Sequence, residues 1–153
     1  ILRKFLKKYK PKLIRDRVRL IMSGDLSEIP DSLREQCENC MEDTSAFSYR
    51  YLNIALNYGS RAEIVKAAND LIKSGKKEIT EEDFSSALYT SLLPDIDLVV
   101  RTSGEQRLSN FFLWQCAYAE LYFTDVLWPD FNNAELDKAI EWFNGRGRRF
   151  GGV

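Results

Sequence analysis

The chain has 153 residues, a formal net charge of −1, and 44% hydrophobic and 29% charged residues. This near-zero charge creates no overall field that would favour nucleic acid or acidic lipid. The absence of histidine excludes Ser-His and Cys-His nucleophile pairs and removes the usual zinc ligand. No apolar run approaches the roughly 18 residues that a membrane-spanning helix requires. Length and composition therefore predict a single soluble domain over residues 1–153.

The cysteine content also bears on location and metal binding. Cys37, Cys40 and Cys116 are an odd set in a chain without an Asn-x-Ser/Thr sequon, which is typical of a reducing, cytoplasmic environment. The spacing of Cys37 and Cys40 also occurs in redox and metal sites. Because only one other cysteine could complete a zinc site, we interpret the pair as part of one helix face.

The first half of the chain alternates between helical and strand patterns. It predicts an amphipathic helix over residues 1–9 that Pro11 interrupts or bends, a strand over 18–22, a helix over 32–43 and a strand over 51–56. Ser60 and Glu63 then predict a capping box at the start of a helix that closes near Lys73.

The second half continues this alternation. It predicts a helix capped over 80–83 and reaching about residue 91, a strand over 96–100, a helix over 110–118, a short strand over 121–123 and a last helix from 133 or 134 to 143. Apolar strands separated by helices indicate an α/β fold with a mostly parallel sheet flanked by helices. Ligands of such sheets bind at the carboxyl ends of the strands.

The densest polar segment follows the strand over residues 96–100. Arg101 lies where that strand ends, Gly104 permits a turn, and Arg107 adds a second fixed positive charge. Ser109 is a suitable N-cap for the predicted helix, whose free N–H groups would face an anion. These features predict a site for a phosphate or diphosphate. The alternative is a surface turn with two solvated arginines.

Several segments resemble the cis-prenyltransferase family, and bacterial undecaprenyl diphosphate synthases in particular. The strongest likeness lies in Arg-Thr-Ser-Gly-Glu-Gln-Arg-Leu-Ser-Asn at 101–110, continuing to residue 115. It extends to segments 52–61, 120–125, 128–131 and 148–152, so that it covers essentially the whole chain. Within segment 52–61, Ser60 replaces a glycine that is common in the family.

The resemblance implies the cis-prenyltransferase fold and its activity. Members condense isopentenyl diphosphate onto an allylic diphosphate such as farnesyl diphosphate. The products are Z-polyprenyl diphosphates such as undecaprenyl diphosphate, a lipid carrier precursor for cell-wall synthesis. By motif, the resemblance assigns substrate binding to Arg101, Arg107, Ser109, Arg149 and Gly151.

The resemblance also implies a cofactor and a partner. Glu120 would help to hold magnesium, which prefers carboxylate, water and phosphate oxygens. The terminal segment, with Arg149 and Gly151, would reach into the partner's site in a homodimer. The resemblance implies a cytoplasmic location and allows peripheral contact with the inner face of the membrane through the product.

Two departures from the family pattern matter. Gln106 stands where some relatives have a histidine. The family's amino-terminal Asp-Gly-Asn-x-Arg-Trp loop does not occur in the sequence, and the first residue is Ile1 rather than Met. We therefore expect the carboxyl-terminal portion of such an enzyme, with its fold incomplete on the amino-terminal side. This portion would contain none of the catalytic residues and could not elongate a chain by itself.

Two other functions compete with this interpretation. One is a non-catalytic accessory subunit that shares the fold and supports a catalytic partner. The other is a nucleic-acid-binding module that uses the lysine-rich segment 7–12 and the terminal arginines, although near-neutral charge counts against it. For segment 7–12 we favour the interpretation as a solvated helix face over polyanion binding.

Overall fold

The structure, a computed structural model, describes residues 1–147. Its chain divides into two compact units, Ile1–Leu93 and Pro94–Val153. The first unit contains α1 (Leu2–Arg15), β1 (Val18–Ser23), α2 (Asp31–Asp43), β2 (Arg50–Ala55), α3 (Ser60–Lys73) and α4 (Glu81–Ser86). The second contains β3 (Leu98–Arg101), β4 (Glu120–Phe123) and α5 (Asn133–Asn144).

The described strands form two parallel pairs, β1 with β2 and β3 with β4. In the first pair Val18 lies opposite Arg50, and in the second Leu98 lies opposite Glu120. Parallel pairing within each unit follows from strands that are joined through helices or long turns rather than tight hairpins. The predicted positions of all four strands are confirmed to within about two residues.

The core of the first unit lies where α1 and α2 pack on β1. Its buried members include Leu6, Leu13, Leu20 and Met22, together with the two cysteines of α2. Cys37 and Cys40 therefore lie on one buried face of a helix, as predicted. Burial raises the pKa of both thiols above the ordinary value, which keeps them protonated and poorly reactive near neutral pH.

Pro11 does not interrupt the first helix, so that part of the prediction is wrong. Helix α1 runs from Leu2 to Arg15 and includes Pro11. The apolar side chains on either side of the proline, Leu6 and Leu13, are both buried. Their packing against the core supports the helix on both sides of the lost N–H, which outweighs the local propensity of proline.

Two predicted helix boundaries differ from those observed. The cap of α3 is Gly59 and makes no side-chain cap hydrogen bond, so the predicted capping box of Ser60 and Glu63 is wrong. Thr80 and Asp83 do form a capping box at α4, but that helix ends at Ser86 rather than near residue 91. The chain continues in short turns up to Leu93, held by backbone bonds such as Leu93 N–H to the Thr90 carbonyl.

The predicted helix over residues 110–118 is also wrong. The segment forms consecutive turns. Two of its residues, Asn110 at 64° and Phe112 at 43°, have positive φ angles, as does Ser109 at 49° immediately before it. Left-handed backbone cannot continue a right-handed α-helix. Phe112 and Cys116 are nevertheless buried, so the apolar spacing reflects packed turns rather than a helix face.

None of the helices in the described part of the chain is long and apolar enough to cross a membrane.

Candidate functional site

The candidate site lies at the carboxyl end of β3, where Arg101 ends the strand. The chain beyond β3 stays attached to the chain beyond β4: the Ser103 N–H donates to the Val126 carbonyl at 2.9 Å, and the Gly104 N–H donates to the Thr124 carbonyl at 3.0 Å. These bonds extend the parallel pairing past the strands and fix the backbone of the loop. The loop therefore starts from a rigid base.

Glycine is required at position 104 for two reasons. Its φ angle is +69°, and a Cβ placed there would lie 3.1 Å from Oδ1 of Asp125. A larger residue would be strained and would press on this carboxylate. The prediction of a glycine-dependent turn at this point is thus confirmed.

The loop borders an open cavity of about 240 Å³. Its polar lining includes all three residues of the predicted diphosphate site in the described chain: Arg101, Arg107 and Ser109. Its remaining lining is apolar: Val99, Val100, Leu108 and Phe111. The cavity has room for roughly eight water molecules at about 30 Å³ each, which is enough for a compact anion such as a diphosphate.

Arg101 carries the main electrostatic feature of the cavity. Its Nε is buried and has no hydrogen-bond partner among the residues that the structure describes. A buried donor without an acceptor is costly, by about 1–3 kcal/mol. An anion in the cavity would supply the missing acceptor, and a guanidinium favours phosphate oxygens because its N–H groups form a planar fork.

Arg107 is arranged differently. Its guanidinium forms an ion pair with Glu105, and its side chain is 65% exposed. An exposed pair of this kind contributes little to stability. Arg107 can therefore exchange Glu105 for a more highly charged anion at small cost. Glu105 was not predicted from the sequence as a partner of Arg107, although its position two residues before Arg107 in a tight loop was a usable signal.

Ser109 lies on the cavity wall, but not at a helix N-terminus. The predicted contribution of a helix N-terminus to anion binding is therefore wrong. The hydroxyl can still donate to a ligand. Positive φ angles at Ser103 and Ser109 place non-glycine residues in a costly backbone region, as is common in ligand-binding loops.

Glu120 lies at the opposite end of the strand pair. It pairs with Leu98, whereas Arg101 pairs with Phe123, so three residues, or roughly 10 Å of strand, separate Glu120 from the position of Arg101. The Glu120 carboxylate accepts a hydrogen bond from Arg146 Nε at 3.2 Å. The Arg146 guanidinium also lies 5.2 Å from the centre of the Trp142 ring, which anchors it beside the carboxylate.

The described residues offer few donors for a metal ion. Over residues 1–147, the chain brings together no group of three or more acidic, cysteine or histidine side chains that could hold a metal ion. A single carboxylate such as Glu120 still fits magnesium, because this ion commonly binds one or two carboxylates together with substrate phosphates and water. The predicted substrate residues Arg149 and Gly151 lie outside the described residues.

The strand ends of the first unit also carry polar groups, but these groups bond to each other. The Asn57 side chain donates to the Asp25 carbonyl at 3.0 Å, and the Asp25 N–H donates to the Asn57 carbonyl at 3.2 Å. Gly24 lies so close to β2 that a Cβ would be 2.0 Å from the Leu56 carbonyl oxygen. We call Gly24, Asp25, Leu56 and Asn57 the locked junction.

A buried carboxylate near this junction was not foreseen as a tertiary contact. Glu63 is only 2% exposed. It accepts a hydrogen bond from the Tyr58 hydroxyl at 2.5 Å and another from the Tyr89 N–H at 2.8 Å. Glu63 thereby ties the start of α3 to the turns after α4. Sequence pattern assigned it to a local cap because its partner Tyr89 is distant along the chain.

Comparison with known proteins gives the family. The family described as "Putative undecaprenyl diphosphate synthase" matches residues 1–151. The chain belongs to this family. It is 55% identical to an isoprenyl transferase of Fusobacterium nucleatum, over 98% of this chain and 65% of that protein. It is 48% identical to an isoprenyl transferase of Bacillus cereus, over 97% of this chain and 60% of that protein.

Solved structures of the family confirm the α/β fold, with parallel sheets flanked by helices. A probable undecaprenyl diphosphate synthase from Campylobacter jejuni is 38% identical with a TM-score of 0.88, over 98% of this chain and 71% of that one. Lavandulyl diphosphate synthase from Lavandula x intermedia, in complex with dimethylallyl diphosphate, is 34% identical with a TM-score of 0.90, over 97% and 67%. The chain spans 60–65% of the length of the two curated relatives above.

Proposed function

We propose that the protein to which this chain belongs is a cis-prenyltransferase that condenses isopentenyl diphosphate onto an allylic diphosphate. In this proposal the cavity after β3 binds the diphosphate of isopentenyl diphosphate. The observation that carries the proposal is the buried Nε of Arg101, which lacks a partner within residues 1–147 and lines a cavity with Arg107 and Ser109. Membership of the prenyltransferase family supports the same chemistry.

In this proposal each residue of the cavity contributes to binding in a different way. Arg101 supplies a fixed, partly buried charge at the end of a strand, so its position is set before the ligand arrives. Arg107 leaves Glu105 and closes on the diphosphate from the exposed side, while Ser109 donates its hydroxyl. The apolar lining from Val99 and Phe111 excludes water, which strengthens the interactions of the guanidiniums with phosphate oxygens.

We place one ligand of a magnesium ion at Glu120. When bound, the ion would neutralise phosphate charge and orient the reacting groups. Because Glu120 lies roughly 10 Å of strand from the position of Arg101, these phosphates would lie outside the cavity after β3. Within the described chain, Arg146 holds the Glu120 carboxylate by one hydrogen bond. The side chain is thereby oriented, and its carboxylate keeps further lone pairs for another cation. Farnesyl diphosphate as the allylic substrate, a polyprenyl product, a cytoplasmic location and a homodimer completed by Arg149 and Gly151 belong to the same proposal.

The accessory-subunit alternative fits the site less well. A subunit that only supports a partner has no need for a cavity with Arg101, Arg107 and Ser109 in its lining. The unpartnered donor of Arg101 would then reduce stability with no ligand to compensate for it. The enzyme is therefore the function that the geometry supports best.

The test is substrate kinetics of the full-length protein with Arg101 replaced. Arg101→Ala removes charge-assisted hydrogen bonds worth about 1.5–3 kcal/mol, so we expect the KM for isopentenyl diphosphate to rise by roughly 10- to 100-fold. The matched control is Arg15→Ala, since Arg15 is an exposed arginine paired only with its neighbour Asp16. Unchanged KM and kcat in Arg101→Ala would show that the cavity is not the substrate site.

A further inference from the structure

A second cavity lies in the unit Ile1–Leu93, in the groove between α1 and α2. It has a volume of about 520 Å³, within the range of roughly 300–1,000 Å³ that is typical of ligand sites. We call it the basic groove. Its residues are distinct from those of the cavity after β3, and the proposed transfer reaction assigns it no role.

The α1 side of the groove is strongly cationic. Helix α1 contains seven lysines and arginines and no acidic residue. Four of these cations line the groove: Arg3, Lys4, Lys7 and Lys10. Residues three and four positions apart share a helix face, so the four charges form one continuous stripe.

The residues of α2 that line the groove carry no negative charge, although Asp43 at the end of α2 pairs with Lys10. These lining residues are Gln36, Asn39 and Cys40. Leu6 and Pro11 add apolar surface from α1. The groove therefore combines an apolar lining with a row of cations, which matches an anion attached to an apolar body.

Two of the four cations already have partners, and two do not. Arg3 donates to the Ser32 hydroxyl at 2.5 Å, and Lys10 forms an ion pair with Asp43. Lys4 and Lys7 are exposed, and over residues 1–147 neither has an ion-pair partner. These two lysines carry the charge that is available to a ligand.

We propose that the basic groove is a docking surface for the headgroups of anionic phospholipids at a membrane surface. Basic helices with an apolar component bind such surfaces, and each Lys or Arg near the surface strengthens binding. The buried side chains of Leu6 and Leu13 keep α1 packed in the fold, so the helix docks through its charged face rather than inserting. Single-stranded nucleic acid fits less well, because base stacking needs aromatic side chains and none lines the groove.

The test is co-sedimentation of the full-length protein with lipid vesicles. Binding is expected to equimolar phosphatidylglycerol and phosphatidylcholine and not to phosphatidylcholine alone. It should be lost near 1 M salt, where the Debye length falls to about 3 Å. The double substitution Lys4→Gln and Lys7→Gln should weaken binding about 30-fold. Both lysines are exposed, so the fold should be kept, and circular dichroism verifies this.

The matched control changes two lysines of the same helix that do not line the groove. Lys8→Gln with Lys12→Gln removes the same charge, and its binding should fall by only a few-fold. An equal loss of vesicle binding in both double variants would overturn the proposal that the basic groove is the docking surface. It would show that binding depends only on the total charge of α1. Competition by soluble glycerophosphate would identify a free phosphate as the ligand, and displacement by an oligonucleotide would identify nucleic acid. Either result would overturn membrane docking.

Discussion

The polar groups at the strand ends of the two units differ in whether they have hydrogen-bond partners. At the locked junction, Asp25 and Asn57 satisfy each other's polar groups, and Gly24 packs directly on the Leu56 carbonyl. After β3, by contrast, Arg101 keeps a buried donor without a partner in the described chain and borders a cavity. Polar residues at a strand end therefore indicate a binding site only where their hydrogen bonds are left incomplete.

The largest effect should come from breaking the locked junction at Gly24. Gly24→Ala places a Cβ 2.0 Å from the Leu56 oxygen at a φ angle of +132°, so β1 and β2 must separate locally. We expect a loss of about 3 kcal/mol or more in the free energy of unfolding, measured by urea titration. The control is Gly75→Ala, where φ is +82° but no atom lies within 4 Å; it should lose only about 1 kcal/mol. Equal losses would contradict a role for the close approach.

The next effect tests the buried carboxylate beside the junction. Glu63→Gln keeps the volume but replaces one carboxylate oxygen by an amide donor facing either the Tyr58 hydroxyl or the Tyr89 N–H. We expect a loss of about 1–3 kcal/mol in urea titration. Tyr58→Phe removes a single hydrogen bond and should cost less. A Glu63→Gln protein as stable as the parent would show that the two bonds do not stabilise the fold.

The third prediction separates stability from function at the open strand end. In Arg101→Met a flexible apolar side chain replaces a guanidinium whose Nε has no partner within residues 1–147. We expect the free energy of unfolding to stay within about 1 kcal/mol of the parent or to rise. Affinity for isopentenyl diphosphate in the full-length protein should fall at least about tenfold, measured by calorimetry. A large loss of stability would show that Arg101 stabilises the fold, as the residues of the locked junction do.

The smallest expected effect is a change in acid sensitivity at Asp25. Hydrogen bonds from the Ser27 hydroxyl and N–H hold the pKa of this carboxyl below its ordinary value. The unfolded chain then binds the proton more readily, so the stabilisation is complete above about pH 4 and is lost as pH falls further. Asp25→Asn should flatten the acid limb of the unfolding curve, followed by circular dichroism. An unchanged acid limb would mean that other carboxyls account for it.

The contrast between the two strand ends also shows what sequence can predict. The four strands and the last helix follow from local apolar patterns, and the structure confirms them. The cluster of Arg101, Arg107 and Ser109 was predictable because all three lie within one short loop. Glu63 was misassigned because its second partner is Tyr89, and no local pattern records such a distant contact.

The helix predicted over residues 110–118 is absent for a similar reason, because local sequence pattern does not record tertiary contacts. The spacing of Phe112 and Cys116 suits a helix, and the structure buries both residues. What local pattern does not contain is the left-handed backbone at Ser109, Asn110 and Phe112. Such conformations persist only when surrounding contacts impose them, so they become visible only once the loop is seen in its packed setting.

The parallel pairing within each unit bears on the order in which the chain folds. Bringing β2 to β1 closes about 30 residues and bringing β4 to β3 about 20, and these closures differ in entropic cost by only about 0.3 kcal/mol. Chain entropy therefore does not decide which pair forms first. Leu20 and Met22 of β1 are fully buried, whereas no residue of β3 or β4 is fully buried. The β1–β2 pair is thus the better nucleus, with the ligand-binding loop ordering after it.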